Sequence, residues 1–550
     1  KPAGQAGEEQ DKDDANVRDN VFPTAERNLV VLLSKARQLI AHERYAETIQ
    51  CLGAILEAPE DAFLRPSSKS DVSSGLKAEA QALLGRLPTQ GRELYELDCG
   101  AQARKILSAA VAAGDANGLA EVSRRFFHTR AGYEATFLLG LHQWNHGSPL
   151  AAALTLKRLK ESCPVADEFE PALSAALAAS WSRTGAAEKA RPVLEDLKRR
   201  FPKAAVNIAG QEVSLAGEGA ARIYSPPGLV PPVRGKDSWM VFGGDAARNA
   251  SVSASGPLLS DCWRVPTIEH PFVEAIVEQI QLSHRDHDRW ALPALQPLVV
   301  DNIVLMRTAR NLLAVDFTTG KRIWEVPGDD PFESLSESSI AAKAVEPMGG
   351  SRGGGFDLQA ALRYRLWGDA TFGTLASDGD RVFAIEDLSL DLGTSAARAM
   401  FMPNRRINAS DPKPFNRLAA YDVHSGKLLW HVGGPGDEAA LAQAGTFFLG
   451  APLPVGGQVY AIGEQKGDLR LLVLNAKTGH VTWTQQLGAV DQDHDIANDP
   501  LRRISGVSPS FADGILVCPT SNRSVVALEP ATRSLLWGYA YKATDQAQPR

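Results

Sequence analysis

From about Thr24 to Leu215 apolar residues recur every three or four positions, with Ala, Leu, Glu, Lys and Arg filling the intervals. That period predicts amphipathic helices. Beyond about Ser238 the period falls to two, in short runs punctuated by Gly, Asp and Asn, which predicts strands joined by tight turns. Between the two patterns, SPPGLVPPVRGK carries Pro226, Pro227, Pro231 and Pro232. Proline fixes φ and donates no backbone hydrogen bond, so this stretch reads as an extended spacer. The chain therefore divides into a polar, disordered tail at 1–22, helices over 23–215, a Pro-rich linker at 216–237 and strands over 238–550.

A repeat is visible in the helical part. FLLGLHQWNHGSPLAAALTLKRLKESCP ends at Pro164 and LSAALAASWSRTGAAEKARPVLEDLKRRFP ends at Pro202, and Gly147 aligns with Gly185, 38 positions on. Each copy reads as helix, Gly turn, helix, Pro stop. Glu43 to Asp61 repeats the second helix, and the segment around Gly114 is a weaker copy. Such helix pairs resemble tetratricopeptide-like solenoids, in which each pair buries its apolar face against its neighbours. Trp144 and Trp181 fit the packing between helices better than a binding stripe.

The strand part has a longer repeat. PLVVDNIVLMRTARNLLAVDFTTGKRIWEV predicts four strands: Leu298 to Val300, Ile303 to Arg307, Leu312 to Asp316 and Arg322 to Val326. Its last two strands recur with tryptophans at Trp324, Trp430, Trp483 and Trp537. Trp430 to Trp483 is 53 residues and Trp483 to Trp537 is 54, the size of one propeller blade. The 106 residues from Trp324 to Trp430 hold one strand set, and so two insertions, at about 328–360 and 387–415. The fold class that results is α+β and multidomain: an all-α solenoid followed by an all-β propeller with four blades, half of a larger ring.

Within each repeat, Asp316, Asp422 and Asn475 suit a turn in which the side chain accepts backbone amides, and Gly320, Gly426 and Gly479 supply its positive φ. In the fourth copy Glu529 and Arg533 stand in those places, so that turn is expected to differ. The pattern A-x-D-x-x-[ST]-G-x-x-x-W resembles the tryptophan-docking repeat of pyrroloquinoline-quinone-type (PQQ-like) propellers. Nearly the whole chain, from ERYAETIQCLGAILE to DGILVCPTSNRSVVALEPATRSLLWGYAY, resembles a family of exported PQQ-like repeat proteins common in planctomycete bacteria. Its blades are similar to those of the outer-membrane barrel-assembly propeller lipoprotein, a non-enzymatic scaffold. The resemblance implies a bacterial chain exported to the periplasm, cell envelope or exterior, with its signal peptide removed. It also implies partners that are other proteins, held on the propeller surface and the helical repeats.

Trp263, in DCWRVP, looks like the end of a blade yet precedes the first complete strand set. Five outer strands therefore accompany four sets of inner ones. The expectation is that a C-terminal remainder or a second polypeptide completes the ring, because bare blade edges invite strand pairing.

The net charge of -7 gives no basic field for nucleic acid, and no stretch reaches the roughly 18 apolar residues of a membrane helix. Cys51, Cys99, Cys163, Cys262 and Cys518 are odd in number and far apart, and read as buried free thiols. A quinone-dependent dehydrogenase would need a quinone stacked over a tryptophan, a calcium and a catalytic carboxylate. Trp290 and Trp367 are candidates for the platform, but no adjacent cysteines accompany them. Asp491, Asp493, Asp495 and Asp499 are weak calcium candidates, read as a solvated loop since Ile496 stands where an EF-hand needs Gly. HRDHDRW at 284–290 and GGSRGGGFD at 349–357 read as polar or flexible loops. The functional expectation is a non-enzymatic protein-interaction scaffold with no catalytic residues and no cofactor. A PQQ-dependent oxidoreductase and a ligand-sensing propeller are the alternatives.

Overall fold

A computed structural model describes residues 22–541 except 24, 65–71, 204, 209–210, 215–237, 252–261, 287–291, 328–357, 387–414, 436–442, 491–495 and 498. The linker, both insertions apart from their C-terminal ends, Trp290 and the acidic residues Asp491, Asp493 and Asp495 lie outside the described residues.

The helical part packs as successive antiparallel pairs. Helices α1 (Arg27–Ala41) and α2 (Tyr45–Glu57) share one core around Leu33, Ile49 and Leu52. After strand β1 (Val72–Ser74) follow α3 (Leu76–Gly85), α4 (Thr89–Ala113), α5 (Ala116–Arg125), α6 (Arg130–Asn145), α7 (Pro149–Ser162), α8 (Ala172–Arg183) and α9 (Ala187–Arg200). Asp115 and Thr129 cap α5 and α6 by accepting the Asn117 and Gly132 amides. Gly147 and Gly185 end the first helix of each 38-residue copy at φ 75° and 80°. Trp181 is buried between helices, and Trp144 lies half-buried under the Arg183 guanidinium.

Two edges of this part differ from the sequence expectation. Helix does not continue to Leu215: β2 (Ala205–Ile208) pairs antiparallel with β3 (Gln211–Ser214), because Pro202 stops α9 and the residues after it alternate. The polar tail gives way before residue 22, since Phe22 is buried against Phe63, 5.0 Å between ring centroids.

The strand part forms four antiparallel sheets. Blade 1 is β4 (Leu298–Val300), β5 (Ile303–Arg307), β6 (Asn311–Asp316) and β7 (Arg322–Pro327). Blade 2 is β8 (Ala376–Ser377), β9 (Arg381–Glu386), β10 (Arg417–Asp422) and β11 (Leu428–Gly433). Blade 3 has β12 (Phe447–Phe448) and β13 (Leu453–Val455) both on β14 (Gln458–Gln465), then β15 (Asp468–Asn475) and β16 (Val481–Ala489). Blade 4 is β17 (Ser510–Ala512), β18 (Ile515–Pro519), β19 (Ser524–Glu529) and β20 (Ser534–Ala540).

Middle strands are buried on both faces, as in Val459–Glu464 and Leu471–Leu474, and the apolar layers between blades form one cluster across blades 2, 3 and 4 and another between blades 1 and 2. The entry segment runs along the inner strands. Trp239 bridges Val299 of blade 1, Val241 bridges Ala376 of blade 2, and the Ala246 carbonyl accepts the Phe511 amide of blade 4. Helix α10 (Pro271–Asp286) and helices α11 (Leu358–Arg363) and α12 (Ala370–Gly373) lie beside blade 1 with their own apolar cluster.

Blade 4 has a fifth strand that comes from the helical part. Strand β1 pairs antiparallel with the outer strand β20, Ser74 opposite Trp537, so the edge is covered.

Candidate interaction site

The tryptophans link the blades by one repeated geometry. Each ring lies over the turn of the next sheet and donates Nε1–H to a turn carbonyl: Trp263 to Phe317 at 2.8 Å, Trp324 to Val423 at 2.8 Å, Trp430 to Ala476 at 3.0 Å. A Cβ on Gly320, Gly426 or Gly479 would approach these rings to 2.6–2.7 Å. The glycines thus serve two purposes, a φ of 69–70° and clearance for an indole. The turns are held from inside by Asp316, which accepts the Thr319 amide and hydroxyl, by Asp422, which accepts those of Ser425, and by Asn475, which accepts the Lys477 and Thr478 amides. These bonds favour the carboxylate forms and hold Asp316 and Asp422 below the usual acid range.

The fourth turn does not differ in the way its sequence suggests. Arg533 adopts φ 54°, the same left-handed conformation as the three glycines, and Glu529 accepts the Thr532 hydroxyl as its aspartate counterparts do. The guanidinium swings over the Trp483 ring, 5.3 Å from its centroid. Side-chain length allows this: an unbranched stem carries the guanidinium out across the face of the ring, where a Cβ-branched residue would crowd it.

Trp263 occupies the place on blade 1 that Trp324 occupies on blade 2. Among the described residues it has no inner strands of its own, and Arg322 fixes its segment through the Pro266 carbonyl at 2.8 Å and Glu269 at 3.0 Å. At the other end, Trp537 is half-buried on β20 and makes no hydrogen bond through Nε1 among the described residues.

The helical part is clasped to the outer strands of blades 3 and 4. Asp61 is buried; its carboxylate accepts the Ala62, Lys77 and Leu535 amides at 2.8–3.0 Å, and its own amide and carbonyl pair with the Gln485 side chain. Burial raises the Asp61 carboxyl above the usual range against the opposing pull of these amides and Lys77. Beside it Glu60 contacts Arg470, Thr484 and the Gln486 amide. Lys189 of α9 also pairs with Asp513 in the first turn of blade 4.

The centre between the blades is filled by side chains that the strand pattern did not single out. Arg307, wholly buried, pairs with Glu386 at 2.8 Å, and Tyr421 donates to the same carboxylate at 3.1 Å. Phe372 lies between two guanidiniums, Arg307 at 4.3 Å and Arg365 at 3.9 Å from its centroid, and Arg503 covers Phe447 at 4.5 Å. The gap left among Tyr364, Phe372, Asn416 and Arg503 is about 10 Å³, room for one water. A stacked tricyclic quinone does not fit there. A signal for Arg307 existed: it is in phase with Ile303 and Leu305 on a strand whose alternate positions are buried.

Trp367 instead lines a side cavity of about 780 Å³ between α10, α11 and blade 1, with Met306, Leu313 and His270. Asp499 caps a short helix, α13 (Pro500–Arg503), by accepting the Arg502 amide, which supplies an ordinary structural role for that acid. No group of three His, Cys, Asp or Glu side chains among the described residues is arranged to hold a metal, and no helix among them is long and apolar enough to cross a membrane. Of the five free cysteines, Cys51, Cys163 and Cys518 are buried, Cys99 is half-buried, and Cys262 is exposed, contrary to the expectation that all are buried. Cys262 lies next to Trp263 with its thiol exposed to water.

Residues 342–549 match the model of the family described as outer membrane protein assembly factor BamB, a PQQ-like repeat family. Among solved structures, BamB from Moraxella catarrhalis is similar at 13% identity over 42% of this chain and 48% of that one, with a TM-score of 0.24. A structure titled as the Dos1 propeller is similar at 11% identity over 45% and 47%, with a TM-score of 0.23. The match thus spans about half the length of each solved chain. No curated protein matches the sequence. The four-stranded sheets, their docked tryptophans and the family model agree on PQQ-like propeller blades behind a helical-repeat region.

Proposed function

We propose that this chain is a non-enzymatic scaffold that holds other proteins in an assembly of the bacterial envelope or the cell exterior. The observation that carries the reading is the buried clasp at Asp61, which locks a helical-repeat surface in fixed register on blades 3 and 4. Two rigidly joined repeat surfaces hold two partners at a set distance, and binding then loses little entropy to internal motion. The family-model match over 342–549 supports the protein-interaction role, since that family is named for an assembly factor.

The remaining blades of the ring come, in this proposal, from a C-terminal remainder or a second polypeptide. Trp263 supports this: it docks on blade 1 as Trp324 docks on blade 2, yet among the described residues no inner strands accompany it. A ligand-sensing role keeps one observation in its favour, the cavity of about 780 Å³ beside Trp367.

Native material should be purified and its intact mass, bound proteins, quinone and calcium measured on one sample. Stable partners or further propeller sequence without quinone are the expected result. A lone chain of 59.0 kDa carrying stoichiometric quinone would overturn both the scaffold and the shared ring.

A further inference from the structure

Where the helical part meets blades 3 and 4, three guanidiniums line one partly open cavity of about 180 Å³: Arg124 from α5, Arg158 from α7 and Arg533 from the last turn of blade 4. None of the three forms an ion pair among the described residues. The nearby acids are otherwise engaged: Glu121 pairs with Arg125, and Glu529 accepts the Thr532 hydroxyl. Arg158 stacks on Phe127 at 4.0 Å and donates only to the Ser123 carbonyl, at 3.3 Å, while Arg533 has only the Trp483 face.

Burying a cation without a counter-charge is costly. Burial pushes Arg158 and Arg533 down to about 10, in Arg533 with Arg124's charge adding to it and in Arg158 with Glu529 opposing it. Both remain charged at neutral pH. Lys77 stands in the same field, lowered first by burial and further by Arg124 and Arg533, with Asp61 and Glu60 opposing. Three guanidiniums thus converge on a space that Ser123, Thr155 and Gln143 also line, with Lys77 close enough to feel two of them.

Arg533 adds an independent observation. The other three blades place a glycine at this turn position, and a non-glycine residue at φ 54° is strained by its Cβ. The fourth blade accepts that strain and in return directs a guanidinium at the junction.

We infer that this space is a binding site for a tetrahedral oxyanion, a phosphate or sulfate group, which bridges the helical part to blade 4. Arginine forks suit such an anion, because each guanidinium offers two parallel donors to two oxygens. Arg124 and Arg158 hold it from the helices and Arg533 from the blade, so the bound group ties the two together independently of any protein partner. About 180 Å³ admits the anion with some water, or a small ester carrying it.

Thermal unfolding and calorimetric titration of the whole chain with inorganic phosphate, sulfate and glycerol 3-phosphate test this, with chloride at matched ionic strength as reference. The expected result is a saturable rise in melting temperature with phosphate or sulfate that chloride does not give. A tighter response to the ester assigns the site to a phosphorylated ligand, and an equal one to the free ion. Arg533→Gly restores the residue of the other blades and so folds; it should weaken phosphate binding about tenfold while leaving the phosphate-free melting temperature level or higher. Arg124→Gln should weaken it by a similar factor. A phosphate response equal to that of chloride, or unchanged in both variants, would show that the guanidiniums serve only to pack on Phe127 and Trp483.

Discussion

The Oδ2 of Asp61 accepts the amide of Leu535 at 2.8 Å, although 474 positions separate the two residues. A carboxylate from the loop after α2 thereby completes the backbone hydrogen bonding of an outer propeller strand, at the place where strand β1 joins the same strand as a fifth member. Removing it strands three amides at once. Asp61→Ala should lower stability by about 3 kcal/mol or more in urea unfolding, and should expose the 60–77 segment to limited proteolysis. Unchanged proteolysis would show that β1 alone holds the junction.

The same carboxyl yields a pH dependence. Its native value lies above the ordinary 3.8, so the native state binds this proton more tightly than the unfolded chain. The stabilisation from this group is complete below about 3.8 and is lost as pH rises through the native value. Subtracting the unfolding free energy of Asp61→Asn from that of the wild-type chain, pH by pH, should therefore give a difference that declines from acid toward neutral. A flat difference would place the native value at the unfolded one.

At the docking turns the glycine and the tryptophan act as a pair. Gly479→Ala adds a Cβ 2.6 Å from Trp430 in a backbone conformation that already disfavours it, and should cost about 2–4 kcal/mol. Trp430→Ala should cost about 3–5 kcal/mol, because the ring is buried and its Nε1–H has a carbonyl partner. In the double variant the clash is absent, so the two costs should fall short of additivity by at least about 1 kcal/mol. Additive costs would mean that the glycine serves φ alone.

The blades were legible because their chemistry is local. Asp316, Gly320 and Trp324 lie within nine positions, and strand ends read from alternation, such as Ile303 to Arg307, coincide with those observed. What escaped is non-local or depends on side-chain reach. Strand β1 has three residues and no period, and only its partner β20 makes it a strand. Asp61 is one acid among many until Leu535 and Gln485 close around it. At the fourth turn, residue type argued for a different conformation, whereas Arg533 bears the positive φ by sending its side chain over Trp483. The joint between helices and blades was read as a linker question, yet much of it is made by residues 60–77, far from that linker.

Thiol reactivity should separate the cysteines sharply. Cys262 is exposed, whereas burial pushes the Cys99 and Cys163 thiols up to about 11 and Cys518 further still. The thiolate is the reactive species, so iodoacetamide at pH 8 should modify Cys262 at least about tenfold faster than these three, as read by peptide mass spectrometry. Comparable rates would mean that the buried sites open often on the labelling timescale.

At the centre, Arg307 and Glu386 form an ion pair out of contact with water, and their worth as a pair differs from the cost of breaking them. Arg307→Met keeps an unbranched side chain against Phe372 but leaves the Glu386 carboxylate buried with only Tyr421 to donate to it. That variant should lose about 3–5 kcal/mol, since the desolvation cost of the acid remains after its partner is gone. Adding Glu386→Gln removes the stranded charge and retains an acceptor for the Tyr421 hydroxyl. The double variant should therefore recover at least about half of the loss in urea unfolding, even though both members of the ion pair are absent. If the second substitution deepens the loss instead, the carboxylate is stabilised by neighbours other than Arg307, and Arg365 or Arg503 becomes the arginine that holds the centre together.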